Sequence, residues 1–136
     1  MGEIETRAEE KKSRIIAKGK LRVHHMSARL PKKIASLVEG CDGKLHNYFL
    51  QRKNRYYAFN IFKPVVVTRP RARVPKHLSI DWQKGVLYFR KSFFILKGLG
   101  IKDSRKEDSF VDYELYEDGE MRFIIKNVKK TLSMYF

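Results

Sequence analysis

The stretch Ala28-Arg29-Leu30-Pro31-Lys32-Lys33-Ile34-Ala35-Ser36-Leu37 is an extended run that turns directly into a basic-headed helix. Pro31 suits a first helical turn, where a missing N–H costs nothing. A related stretch, Leu87-Tyr88-Phe89-Arg90-Lys91-Ser92-Phe93-Phe94-Ile95-Leu96, follows 59 residues later. Around each junction the same order of signals repeats: extended, turn, extended, short helix, strand, turn, strand. Two strands, one helix and two more strands cannot bury both a helix face and a sheet face alone. Two copies together can. This repeat constrains the fold more than any other feature of the 136 residues. It predicts an α+β, β-rich domain.

Along the chain, residues 1–13 are polar and read as a flexible charged N-terminal arm. Ile15-Ile16-Ala17 and Leu21-Arg22-Val23 flank Lys18-Gly19-Lys20, which predicts a strand or hairpin turning at Gly19. Ile34, Leu37 and Val38 give the first helix an apolar face, Gly40 a stop, and Asp42-Gly43 a turn. Residues 45–50 and 56–62 predict a β-hairpin, with Asn54 the positive-φ turn position. Residues 14–63 make the first unit. Residues 64–76 hold Pro64, Pro70 and Pro75, which discourage a central strand, and read as a basic linker with a short edge strand at 65–68. In the second unit, residues 77–128, strands at 78–82 and 86–89 flank a turn at Gln83-Lys84-Gly85. The strand at 86–89 is apolar throughout and reads as buried on both faces. A helix follows that Gly98 and Gly100 end. Val111, Tyr113 and Leu115 alternate with polar residues before Asp118-Gly119, a two-residue hairpin turn. Residues 129–136 form a C-terminal tail, a last strand or a dimer contact.

Charge narrows the partner. The net charge is +15 and it is unevenly spread. Residues 11–40 carry nine basic and one acidic side chain, residues 64–102 again nine and one, and residues 103–121 two and eight. Two basic blocks and an acidic patch give a polarised surface that attracts polyanions. No apolar run approaches a membrane span, and the charged N-terminus has no apolar core of a secretory signal. Met1-Gly2 with Thr6 matches the myristoylation pattern only by chance. The lone Cys41 excludes an internal disulfide framework and a Cys-rich zinc site, and fits a reducing, cytoplasmic setting, nucleoid-associated or nuclear in a eukaryote.

Arg29-Leu30-Pro31-Lys32-Lys33-Ile34 resembles the strand-to-helix signature of swapped-hairpin DNA-binding domains of the AbrB/SpoVT class. Leu99-Gly100-Ile101, a charged loop, a strand, Asp118-Gly119 and a strand resemble that family's second half. The resemblance implies two tandem ββαββ swapped-hairpin-like units forming an intramolecular pseudo-dimer β-barrel, where the family uses a dimer of single copies. It also implies transcriptional regulation through duplex DNA, contacted from the first hairpin and the helix start. Those positions hold Lys18, Lys20, Arg22, Arg29, Lys32 and Lys33, then Lys84, Arg90 and Lys91, with Arg69, Arg71, Arg73 and Lys76 from the linker. The acidic segment falls where the family faces away from DNA. Both junctions should therefore share one face, opposite residues 103–108.

Lys and Arg neutralise phosphates and release counterions, and Arg also reads guanine through paired hydrogen bonds. Two other partners stay open. Tyr48, Phe49, Tyr56, Tyr57 and Phe59 in residues 45–62 would stack bases of RNA or single-stranded nucleic acid if exposed, although aromatic hairpins more often form core. An antitoxin or inhibitor would instead use the basic surface to dock an acidic protein, or pair with a second copy. His24, His25, His46 and His77 show no metal-ligand spacing, no serine sits in a nucleophile motif, and no phosphate-binding glycine loop occurs. The expectation is a binding protein that is not an enzyme and uses no cofactor or metal.

Overall fold

The computed structural model describes residues 13–38, 45–66, 76–90, 93–102 and 105–126. Outside them lie the N-terminal arm, Gly40, Cys41, the Asp42-Gly43 turn, Arg69, Arg71, Arg73, Lys91 and the C-terminal tail. Nine strands and two short helices are formed among the described residues. In chain order they are β1 (Ile15–His24), β2 (Ser27–Arg29), α1 (Lys32–Ala35), β3 (Leu45–Tyr48), β4 (Gln51–Arg52) and β5 (Tyr56–Asn60), then β6 (Leu78–Asp81), β7 (Val86–Phe89), α2 (Phe93–Leu99), β8 (Ser109–Tyr116) and β9 (Glu120–Ile124). All strands belong to one sheet in the order β3-β6-β7-β2-β1-β8-β9-β5-β4. Every neighbouring pair is antiparallel. The sheet curls into a half-barrel. Its two end strands, β3 and β4, are separated in the chain only by Phe49 and Leu50, so those ends lie within about 11 Å of each other.

Alternation decides what faces inward. Leu21 and Val23 on β1, Leu87 and Phe89 on β7, Val111, Tyr113 and Leu115 on β8, and Met121 and Phe123 on β9 are all buried. They fill the concave side with Ile34 of α1 and Ile95 and Leu99 of α2. Rings of Phe89, Phe123, Phe59 and Tyr48 run through this core with centroids 5.6, 5.6 and 5.0 Å apart. The Trp82 indole donates to the Tyr48 hydroxyl (3.1 Å), which donates to the Ile61 carbonyl (2.8 Å). The buried polar tips are thus paired, as a tight aromatic core requires.

Several local expectations change. Gly19 does not turn the chain: β1 runs through it, opposite Tyr113. Gly19 sits in the inward row, and the Tyr113 hydroxyl lies 3.4 Å from where a Cβ would be, so the missing side chain makes room for a ring. The β1–β2 turn is instead His25-Met26, both at positive φ (49° and 69°). That is the tight hairpin geometry usually given to Asn or Gly. Asn54 is not at positive φ. The β8–β9 loop spans three residues rather than two, with Gly119 at φ 93° and its amide bonded to the Tyr116 carbonyl. Helix α1 is a single turn. Ile34 is fully buried, Val38 partly, and Leu37 exposed, so the broad apolar face is not formed. On β7 only Leu87 and Phe89 are fully buried, and Val86 and Tyr88 are half-buried. The edge strand expected at 65–68 is reduced among the described residues to one bond, from the Val65 amide to the Asn47 carbonyl. The second helix ends as expected at Gly100 (φ 70°). The Ile101 amide bonds the Leu96 carbonyl and the Gly100 amide the Lys97 carbonyl, a Schellman cap.

Candidate nucleic-acid interface

The first junction is built by β2 and the β6–β7 turn together. The Leu30 amide bonds the Gly85 carbonyl (2.8 Å), which seats the start of α1 against that turn. The turn is fixed from within: Asp81 accepts the Lys84 amide on its carboxylate (3.0 Å) and the Gly85 amide on its carbonyl (2.8 Å). Gly85 supplies the positive φ of 69°. Between these parts lies an open depression of about 240 Å3 lined by Arg29, Lys32 and Lys84 over Leu30, Ala35 and Trp82. All three basic side chains are exposed, and among the described residues none of them makes an ion pair. Buried Trp82 gives the depression a rigid floor through its bond to Tyr48.

The β1 row behaves differently. Lys18, Lys20 and Arg22 point outward, but β8 sets Glu114 opposite Lys18 and Asp112 opposite Lys20. Arg22 Nε is 2.6 Å from Asp108, whose other oxygen is 2.7 Å from His24 Nδ1. The His24 bond first, and the Arg22 bond next, hold the Asp108 carboxyl below the usual carboxylate range. The acidic segment therefore abuts the basic first hairpin, and the expectation that it lies opposite is overturned. The physical reason is register, because β1 and β8 are neighbours and their outward rows face each other.

The remaining candidates scatter. Lys33 Nζ donates to the Ile16 carbonyl (2.8 Å), at the point where the β1–β8 register slips. Arg90 is half-buried, and its guanidinium donates to Ser79 Oγ (3.2 and 3.0 Å), which in turn donates to Asn47. Its amide bonds the His77 carbonyl. Arg90 continues the outward row of β7, four residues beyond Val86, which faces Arg29. The two junctions thus lie on the outward side of one two-strand ladder, about 13 Å apart along it. Lys76 precedes β6 and is half-buried. Helices α1 and α2 are short, with four and seven residues.

The aromatics of residues 45–62 mostly form core, and Phe49 and Phe62 are exposed. Of the five expected to stack bases, Tyr48, Tyr56, Tyr57 and Phe59 are buried, and only Phe49 is exposed. Sequence reasoning missed Arg122. It is 7% exposed, its guanidinium 4.2 Å from the Tyr56 ring and 4.6 Å from the Tyr116 ring, with Glu120 at 2.7 Å. The signal was the lone charge in the otherwise apolar run from Met121 to Ile125. Among the described residues no group of His, Cys, Asp and Glu is placed to hold a metal ion, and no helix is long and apolar enough to cross a membrane. No family model matches the chain, and neither a curated protein nor a solved structure does.

Proposed function

We propose that the protein is a duplex-DNA-binding transcriptional regulator built from two tandem swapped-hairpin units. The observation that carries the reading is the convergence of Arg29 and Lys32, from the first unit, with Lys84, from the second, on one depression. Three cations that make no ion pair among the described residues, held within one rigid frame, suit consecutive phosphates of a polyanion.

The pairing pattern supports the tandem architecture. Steps of 57, 59, 63 and 64 residues carry β1 to β6, β2 to β7, β3 and β4 to β8, and β5 to β9. Under them Val23 with Ala28 becomes Ile80 with Leu87. Leu21 with Val111 becomes Leu78 with Tyr48, and Arg52 with Tyr57 becomes Leu115 with Met121. Tyr57 with Phe123 becomes Met121 with Phe59, and Ala28 with Leu87 returns to itself. An approximate two-fold through the β2–β7 ladder accounts for all these pairings. Each half's first hairpin pairs with the other half's second hairpin. The depression lies beside that axis.

Burial of the aromatic hairpin favours duplex over single-stranded nucleic acid, and the choice of DNA follows the family resemblance. Binding to random-sequence duplex DNA across a salt series tests the reading. Three phosphate contacts give a log–log slope of about −2.7, at about −0.9 each. A slope near zero, or stronger binding to single strands than to duplex, refutes it.

A further inference from the structure

One cation of the first hairpin is held differently from the three in the depression. Val23 faces Ala28 on the β1–β2 ladder, so one step further along Arg22 stands opposite Arg29. Both are exposed and share the outward side of the sheet, with Cβ atoms about 5 Å apart, where like charges repel. Asp108 relieves that conflict. The β1–β8 register pairs Val23 with Ser109, which brings Asp108 opposite His24 at the head of β8. The Ser109 hydroxyl accepts the Lys102 amide (2.8 Å) and so anchors this point of the chain. From there Asp108 takes two donors, Arg22 Nε at 2.6 Å and His24 Nδ1 at 2.7 Å. The consequences for Arg22 are two. A carboxylate in contact offsets its charge, which leaves it little to offer a phosphate. Its guanidinium is oriented through Nε, while 73% of the side chain stays exposed and the two terminal amino groups lie outside that bond. An arginine held in this way keeps the planar fork that matches O6 and N7 of guanine.

We propose that Arg22 reads a guanine through the major groove, with Asp108 as its positioning residue, beside phosphate contacts made by Arg29, Lys32 and Lys84. The inference rests on the DNA-binding reading above and adds a target class to it: duplexes with guanine at one fixed position. Phosphate contacts set register and affinity, and a base contact sets sequence, so the two kinds of residue should separate by measurement.

Two experiments on the full chain decide the matter: selection from a random duplex library, and a salt series on a random-sequence duplex. The unaltered protein should enrich guanine at one position, preferred by about 5- to 150-fold, the range of one paired arginine contact. Arg22→Gln should abolish that preference and leave the salt slope unchanged. Arg22→Lys, which keeps the charge without the fork, should do the same. Lys32→Gln and Lys84→Gln should each reduce the slope by about 0.9 and keep the preference. Asp108→Ala should weaken the preference and steepen the slope by about 0.9, an increase that a merely structural role for Asp108 would not produce. Three results overturn the inference. They are a selection that enriches no guanine, a preference that survives Arg22→Gln, and a slope reduced by Arg22→Gln as much as by Lys84→Gln. The last would make Arg22 a phosphate contact like the others. A flat slope for the unaltered protein is a different failure, because it removes the DNA-binding reading itself.

Discussion

At the scale of single residues, pairing separates the basic side chains more sharply than exposure does. Arg22 and Arg29 are both exposed on neighbouring strands, yet among the described residues Asp108 holds one and no carboxylate pairs with the other. An exposed ion pair contributes little to stability, but it changes what a phosphate meets on arrival. His77 is a residue with a structural task of its own. Its Nδ1 accepts the Leu50 amide at 2.9 Å, its ring meets Phe49 edge-on at 5.5 Å, and its amide bonds the Tyr48 carbonyl. Desolvation lowers its pKa below the ordinary 6.5, and protonating Nδ1 would break the bond from Leu50. The folded protein therefore binds fewer protons there than the unfolded chain, so His77 favours folding above pH 6.5. That contribution is lost as pH falls from 6.5 through the lowered folded value. Denaturant midpoints measured from pH 8 to pH 5 should drop with acid, and His77→Asn, whose amide oxygen can still accept, should flatten that part of the profile.

At the scale of elements, turns carry more of the specification than helices. Gly119 holds φ 93°, and a Cβ there would clash with the Phe62 ring and come within 2.7 Å of Asn60 Oδ1. Gly119→Ala should destabilise the protein by about 1–3 kcal/mol, from backbone strain and displacement of a ring. Chemical denaturation measures it, and Gly19→Ala, which meets Tyr113 only at 3.4 Å, is the milder comparison. The turn residues also show what could be read in advance. Gln83-Lys84-Gly85 and Gly100 were legible because glycine marks a positive φ that other residues resist. His25-Met26 was not, since nothing local in those side chains asks for positive φ, and the ladders on either side impose it. The same override explains β1. Its two apolar runs were visible, but the partner that makes Gly19 useful is Tyr113, far along the chain. The charge conflict between β1 and β8 was hidden for the same reason: composition places charges along a chain, and only register places them beside one another.

For the whole molecule, four ladders join residues before the linker to residues after it: β1–β8, β2–β7, β3–β6 and β5–β9. Neither half contains a complete sheet, so neither should persist alone. Unfolding in urea followed through Trp82 fluorescence, a reporter in the later half, should coincide with far-ultraviolet circular dichroism, which averages both. Separated transitions would mean the halves fold independently. The β-rich class was legible from periodicity and turn residues. The order of strands was not, because the ladders that set it join strands far apart in the chain. The join at Phe49 and Leu50 carries a last consequence. Most open sheets have two bare borders where a second chain can add a strand and start a fibril. Here the borders are consecutive strands separated only by Phe49 and Leu50, and one of them is further occupied by the Val65 amide. Copies of the folded protein have little backbone to stitch onto, so self-association through strand addition should begin only from chains in which this join has come undone.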